Sequence, residues 1–239
     1  PIQRGSIGIS LDSSWYEPDS NTTADIEATQ RVLDFNLGWF MEPLIHGDYP
    51  SSMRTRVGNR LPRFSPLQSR LLKGSFDFIG INHYTTHYVS ESTNLTADAQ
   101  ADSGANSSAT LIPLLQANSA WLAIVPHGIR SLMNYIKHKY HNPTIIITEN
   151  GMDDPDGPLR DGLNDTKRIK FHRDYLTNLL AAIKEDGCDV RGYFVWSFLD
   201  DWEWSDGFTS RFGLHFVDYD DGDLKRYPKE SAKWFRKFL

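Results

Sequence analysis

At 239 residues, 39% hydrophobic and 13% aromatic, the chain has enough apolar material for one large α/β domain or two small ones. A net charge of −6 and a pI near 5.7, with no basic block, argue against a nucleic-acid or anionic-membrane surface, and no apolar run approaches a membrane span. The single Cys188 excludes an internal disulfide and no zinc-type Cys/His spacing is present, so no metal or other cofactor is expected.

Strand and helix signals alternate along the chain. It opens on Pro1-Ile-Gln-Arg-Gly, without an initiator Met or a leader, which reads as a cut end. Residues 5–11 set Ile7, Ile9 and Leu11 at period two, and Asp12-Ser-Ser breaks that strand. A helix over 24–40 follows, with Ile26, Val32, Leu33, Leu37 and Phe40 near helical spacing and Thr22 or Thr23 as its cap. Residues 42–62, rich in Gly, Pro, Asp and Arg, read as an irregular loop before Ser65-Pro66 opens a short helix. Residues 76–83 form a second strand, interrupted by Gly80. The stretch 92–119 is small, polar and aperiodic and reads as a long surface loop.

Ile129, Leu132, Met133, Ile136 and Tyr140 mark the next helix. Pro143 to Gly151 then forms a β-branched run that delivers Glu149 to the C-terminal tip of a buried strand. Asp165 caps a helix carrying Ile169, Leu176, Leu179, Leu180 and Ile183, and Gly187 ends it. Residues 190–198 are the last strand. Residues 228–239 form a terminal helix with Trp234, Phe235 and Phe238 on its inner side.

Four strands, each followed by a helix, require a parallel sheet with right-handed crossovers. No Gly-rich phosphate turn follows the first strand, which argues against a doubly wound nucleotide fold. A barrel needs eight such units in roughly 250 or more residues, so the arithmetic yields half of one. Strand tips are where parallel α/β folds place their chemistry, although on this stretch alone Glu149 reads equally as a rim carboxylate beside an Asn-Gly turn.

Several segments together resemble glycoside hydrolase family 1. Ile147-Thr-Glu-Asn-Gly151 is similar to that family's nucleophile motif, Gly5-Ser-Ile-Gly-Ile-Ser-Leu11 to its fifth barrel strand, and Pro43-Leu-Ile-His-Gly-Asp-Tyr-Pro50 to the loop after its fifth helix. Phe78-Ile-Gly-Ile-Asn-His-Tyr-Thr85 is similar to strand six, and Trp196-Ser-Phe-Leu-Asp-Asp-Trp-Glu-Trp204, running on to Arg211-Phe-Gly, to strand eight and its loop. The resemblance spans essentially the whole chain and is strongest to plant-type β-glucosidases. It implies a (β/α)₈ TIM barrel of which residues 1–239 supply the last four units, and a retaining β-glucosidase acting by double displacement.

The resemblance also assigns roles. Glu149 matches the nucleophile, Tyr84 the hydroxyl that holds it, and Asn82 a further residue of the catalytic end of strand six. Glu203 and Trp204 match the glycone-binding pair and Trp196 a second wall of that subsite; Phe212 resembles the residue closing the glycone side and Trp121 the aglycone platform. His83 and Asp201 depart from the Asn-Tyr-Tyr and Asp-Asn-Phe runs common in the family, which bears on fine specificity, not on the reaction. The Lys-Tyr pair of relatives that cleave phosphorylated sugars is absent near Arg211-Phe212, which favours an unphosphorylated glycone.

One implied element is missing from this sequence. The family's acid/base lies in an Asn-Glu-Pro motif on strand four, and Glu17-Pro18 and Glu42-Pro43 do not match its context. The expected partners are therefore a β-glucoside and an N-terminal half barrel, and the chain alone is expected to be inactive. Other readings are a non-catalytic fragment that binds sugar or assembles with a partner half, and a transglucosidase. Four sequons, at Asn21, Asn94, Asn106 and Asn164, leave both the secretory pathway and the cytosol open.

Overall fold

In a computed structural model, residues 3–92, 102–108 and 116–239 are described. Four parallel strands, Gly8–Asp12, Phe78–Asn82, Ile145–Glu149 and Val190–Tyr193, lie side by side in chain order. Their registers place Asp12 beside Asn82, and Asn82 beside Glu149, so that the tips of three successive strands align. Alternate residues Leu11, Ile79, Ile81, Ile145 and Ile147 bury their side chains against Leu37, Met41, Ile129, Leu132, Met133, Ile136, Phe171 and Tyr175 of the helices behind. This is the wall of a β/α barrel over four consecutive units.

The helices form largely where the apolar period predicts. Thr22 caps Thr23–Leu33 by accepting from the Asp25 amide, and Ser65 and Gln68 close a reciprocal capping box around Pro66–Leu72. Gly187, at φ 68°, ends Thr166–Lys184 in the left-handed region.

Three segments differ from the sequence reading. The 24–40 helix does not stop there: a π turn at Asp34–Gly38 joins Thr23–Leu33 to Trp39–Ile45, and Pro43 is carried inside the last piece. The presumed loop contains a further helix, Ser51–Val57, which buries only Met53 and so presents no apolar period. In the 92–119 stretch, Ala105–Ser108 pairs antiparallel with Thr86–Glu91, which also pairs in parallel with Trp15–Pro18. This added strand is made of small polar residues whose backbone pairs while their side chains give no alternation. Residues 93–101 and 109–115 of that loop lie outside the described residues, as does Asn94.

Two smaller corrections concern single side chains. Asp165 occupies the N-cap position of Thr166–Lys184, yet its carboxylate does not cap that helix, because it is taken by Arg168 and by the amide and hydroxyl of Ser231, in the first turn of the terminal helix. On the terminal helix, Glu230–Phe238, Phe235 is buried but Phe238 is 56% exposed. No helix among the described residues is long and apolar enough to cross a membrane.

Two glycines set the geometry around Glu149. A Cβ on Gly80 would stand 2.6 Å from Ser10 Oγ and 2.8 Å from Thr148 Cγ2, so the bare backbone there lets those side chains meet across the second strand. A Cβ on Gly151 would stand 1.8 Å from the Trp196 carbonyl oxygen. Backbone cannot rotate away as a side chain does, so Gly151→Ala is expected to cost at least the roughly 1–3 kcal/mol of core overpacking. A guanidinium denaturation midpoint indistinguishable from the parent would refute this close approach.

Candidate active site

The Ile145–Glu149 strand ends with its last side chain at the rim, where the Tyr84 hydroxyl donates to Glu149 Oε2 at 2.6 Å. Tyr84 is supplied by the neighbouring strand, which the His83 amide ties to the Glu149 carbonyl at 2.9 Å. Burial, then the bond to Glu149, raises the Tyr84 phenol far above its ordinary value, so it remains a donor. The Tyr84 ring is held edge-on by Trp121 at 5.8 Å and by Phe212 at 6.1 Å between centroids. Trp121 is half-exposed. Phe212 is only 3% exposed and belongs to the core cluster, so it braces Tyr84 from behind instead of presenting an open wall.

Asn82 is oriented by a side-chain chain that passes over Gly80. Ser10 Oγ donates to Thr148 Oγ1 at 3.2 Å, and Thr148 donates to Asn82 Oδ1 at 2.6 Å. With its oxygen taken, Asn82 has its amide N–H groups left to offer. The sequence reading overlooked Asp12, treated there as a strand breaker. It closes the first strand, and burial and the charge of Glu149 raise its carboxyl.

Across from Glu149, Glu203 is buried and its Oε1 accepts from the Trp196 indole N–H at 2.9 Å. Trp196 is thus an anchor for Glu203. Burial, with the Asp201 carboxyl beside it, pushes Glu203 up to about 7. Trp204 follows at φ 44°, a left-handed conformation costly for a bulky residue, and the Glu203–Gly207 bridge holds it there with 78% of its surface exposed. Trp202 lies 6.2 Å from it, ring centre to ring centre.

His83, expected to bear on specificity, is fully buried, its ring 6.0 Å from that of Tyr175 on the helix behind. It is one link in a polar strap behind Glu149. His172 Nδ1 meets the Tyr193 hydroxyl at 2.8 Å, and Tyr193 donates to Asn150 Oδ1 at 2.7 Å. Asn150 donates to the His83 carbonyl, and His83 Nδ1 meets the Ser13 carbonyl at 2.9 Å. The strap crosses the ends of all four barrel strands.

A second set of groups, also unforeseen, fastens the loops carrying these side chains. Arg168, with no exposed surface, bonds Asp165, Asp154 and the carbonyls of Met152, Arg211 and Phe212. It shares the buried stripe of Phe171, His172, Tyr175, Leu179 and Ala182 at helical spacing, and a cation in such a stripe is the sequence signal that marks it. Asp153 accepts from Ser119, Asn118 and Ser210, while Asp200 accepts from Lys229, Arg211 and the Gly213 amide.

Neither Glu-Pro carboxylate joins Glu149. Glu17 accepts from Trp15 at 3.3 Å and lies 2.8 Å from His127 in the outer sheet. Glu42 lies 3.4 Å from Lys139, at the helix end that leads into the opposite end of the Glu149 strand.

Known proteins share both the sequence and this arrangement. Residues 1–239 match the family described as Glycosyl hydrolase family 1. Beta-glucosidase 40 of Arabidopsis thaliana is 59% identical over 99% of this chain and 48% of its own length, and Beta-glucosidase 6 of Oryza sativa subsp. japonica is 54% identical over 99% and 47%. A crystal structure of the rice Os3BGlu6 beta-glucosidase superposes with a TM-score of 0.93 at 56% identity, covering 98% of this chain and 51% of that one. The family 1 β-glucosidase of Thermotoga maritima superposes with a TM-score of 0.86 at 31% identity, covering 98% and 50%. The chain spans about half the length of the relatives it matches.

Proposed function

The chain belongs to glycosyl hydrolase family 1, and on that premise we propose that it carries the nucleophile half of a retaining β-glucosidase. The observation that supports this best is the Tyr84 hydroxyl set on Glu149 at a barrel-strand tip. In the proposed reaction Glu149 attacks the anomeric carbon of a β-glucoside, the glycosidic bond breaks, and a glycosyl ester forms on its carboxylate. Water then hydrolyses the ester. Tyr84 holds the attacking carboxylate in line and keeps one of its oxygens from wandering. A mutant of the rice relative is described in a covalent complex with Glc, which is the species this route requires.

Glu203, held by Trp196, accepts glycone hydroxyls, and Trp204 offers its exposed face to the sugar's C–H groups. Trp121 is the platform for the leaving group, and Asn82 donates to the sugar beside the nucleophile. A carboxylic acid on the leaving-group side must come from another part of the barrel, since Glu17 and Glu42 are bound elsewhere. The partner we propose is an N-terminal half barrel. Its support is the open sheet: the first and fourth strands each lack an outer neighbour among the described residues, and Ile7, Phe194 and Phe198 are more than half exposed there. Beside the fourth strand lies an apolar groove of about 1050 Å³ lined by Leu176, Tyr193, Phe198, Leu214, Phe235 and Phe238.

The test is a completed barrel given an activated 2-deoxy-2-fluoro-β-glucoside, which slows hydrolysis of the ester and traps it. Mass spectrometry should find one fluoroglucosyl group on the peptide containing Glu149; a label elsewhere, or release of the α-anomer from ordinary substrate, overturns the reading. Tyr84→Phe removes one donor to the charge centre while keeping the ring between Trp121 and Phe212. Its kcat is expected to fall on the order of 10²-fold, the cost of one such donor, with thermal stability little changed. An unaltered kcat would remove Tyr84 from the mechanism.

A further inference from the structure

The Thr166–Lys184 helix touches the surroundings of Tyr84 at two points. Arg168 and Tyr175 stand two turns apart on its one buried stripe, so their side chains leave the helix in the same direction. Arg168 bonds the carbonyl of Phe212, whose ring meets that of Tyr84 edge-on. Tyr175, with no exposed surface, donates its hydroxyl proton to the Tyr84 carbonyl at 3.1 Å and accepts from the Val125 amide at 3.2 Å. Its ring is stacked on Phe171 with 4.2 Å between centroids, which fixes where that hydroxyl can reach.

Val125 lies just beyond the turn that carries Trp121, and a second fastening holds the same turn. Thr85, next to Tyr84 in the chain and buried, donates from Oγ1 to the Ala123 carbonyl at 2.9 Å and accepts from the Ala123 amide at 3.0 Å. The turn is itself closed by the Ala117 amide on the Leu122 carbonyl at 3.0 Å and by the Gln116–Ala123 bridge. A buried hydroxyl that needed only a partner would be satisfied by any one carbonyl. Here both hydroxyls join the main chain around Tyr84 to the main chain of the Trp121 turn.

We propose that Tyr175 and Thr85 are positioning residues that make the Tyr84 backbone and the Trp121 turn one body, so that the Tyr84 hydroxyl is in place on Glu149 before a sugar arrives. This rests on the reading of Tyr84 as the donor to the nucleophile. The Tyr84 hydroxyl stands at the far end of a rigid ring, where a small rotation of the backbone becomes a large displacement. Its 2.6 Å bond to Glu149 does not survive a shift of about 1 Å. Trp121 cannot hold the ring unaided, because it is half-exposed and stands on the very turn that the two hydroxyls fasten.

The experiment measures kcat for an aryl β-glucoside in the completed barrel carrying Tyr175→Phe or Thr85→Val, each alone and combined with Tyr84→Phe. Tyr175→Phe keeps the ring on Phe171 and is expected to lower kcat about tenfold, the cost of a sub-ångström misplacement of a group at the reacting centre. Inhibition by glucose should barely change, since Glu203 and Trp204 stand on a separate loop. In the Tyr84→Phe background the same substitution should alter kcat by less than about twofold, because no hydroxyl remains to be misplaced, whereas independent effects would multiply. Thr85→Val is expected to show the same dependence on Tyr84, and Thr85→Ser, which keeps the oxygen, to restore the parent's kcat; these two carry the test if Tyr175→Phe does not fold. Equal losses with and without the Tyr84 hydroxyl, or no loss in Tyr175→Phe and Thr85→Val, overturn this inference alone. A Tyr84→Phe barrel as fast as its parent overturns the reading of Tyr84 and takes the inference with it.

Discussion

Glu149→Gln, in a barrel complete enough to turn over an aryl β-glucoside, is expected to lower kcat by a factor on the order of 10⁴ to 10⁶, as loss of a nucleophile does. The amide keeps the shape of the side chain and can still accept from Tyr84 through its oxygen, so the loss should appear without a matching change in stability. It should appear equally in the first half-reaction, measured as the burst of released phenol, because bond formation to the sugar precedes everything else. Restoration by azide or formate, with an inverted product, is expected not of this variant but of Glu149→Ala, whose truncation leaves room for the added anion. A variant retaining more than a tenth of the parent's turnover would exclude Glu149 as the nucleophile.

Arg168→Met is the substitution expected to cost most stability. The guanidinium has no exposed surface and joins two carboxylates to three carbonyls, so its removal leaves Asp165 and Asp154 short of a counter-charge and frees the loops bearing Met152 and Phe212 from each other. Breaking a buried pair in this way costs about 3–5 kcal/mol. Urea unfolding of this chain and of Arg168→Lys should rank parent, Lys, Met: a Lys keeps the charge but has no planar fork to reach all three carbonyls. A loss below about 1 kcal/mol for Met would mean that Arg168 carries no such role.

The barrel strands were legible because their residues are β-branched and their ends are punctuated: Ile145 to Thr148 admits little but a strand, and Asn150-Gly151 stops it. Helices were legible where they bury a stripe or open on a cap, as Pro66–Leu72 does behind Ser65. Ser51–Val57 buries Met53 alone and reads as a loop, and Ala105–Ser108 joins a sheet through its backbone while its side chains carry no pattern. At the site, the resemblance located Glu149, Tyr84 and Glu203, since each belongs to a contiguous motif. What could not be read was every bond between motifs. The Trp196–Glu203 bond depends on the turn around Trp204, and the burial of Phe212 on where Tyr84 leans. His83 shows the reverse error, a departure in a functional motif whose side chain turns out to face the interior.

The polar strap behind Glu149 has a direction. The Asn150 amide must point its N–H at the His83 carbonyl, so its oxygen faces Tyr193 and the Tyr193 proton lies on that side. Tyr193 can then only accept from His172, which fixes that ring as its Nδ1–H tautomer, and burial holds it neutral down to about 3. Proton conduction needs a chain of links that can all reverse together, and the His83 carbonyl at the end of this one can never donate. The strap therefore insulates Glu149: it locks the rim in place while giving a proton lost or gained near that side chain no wire into the helices behind.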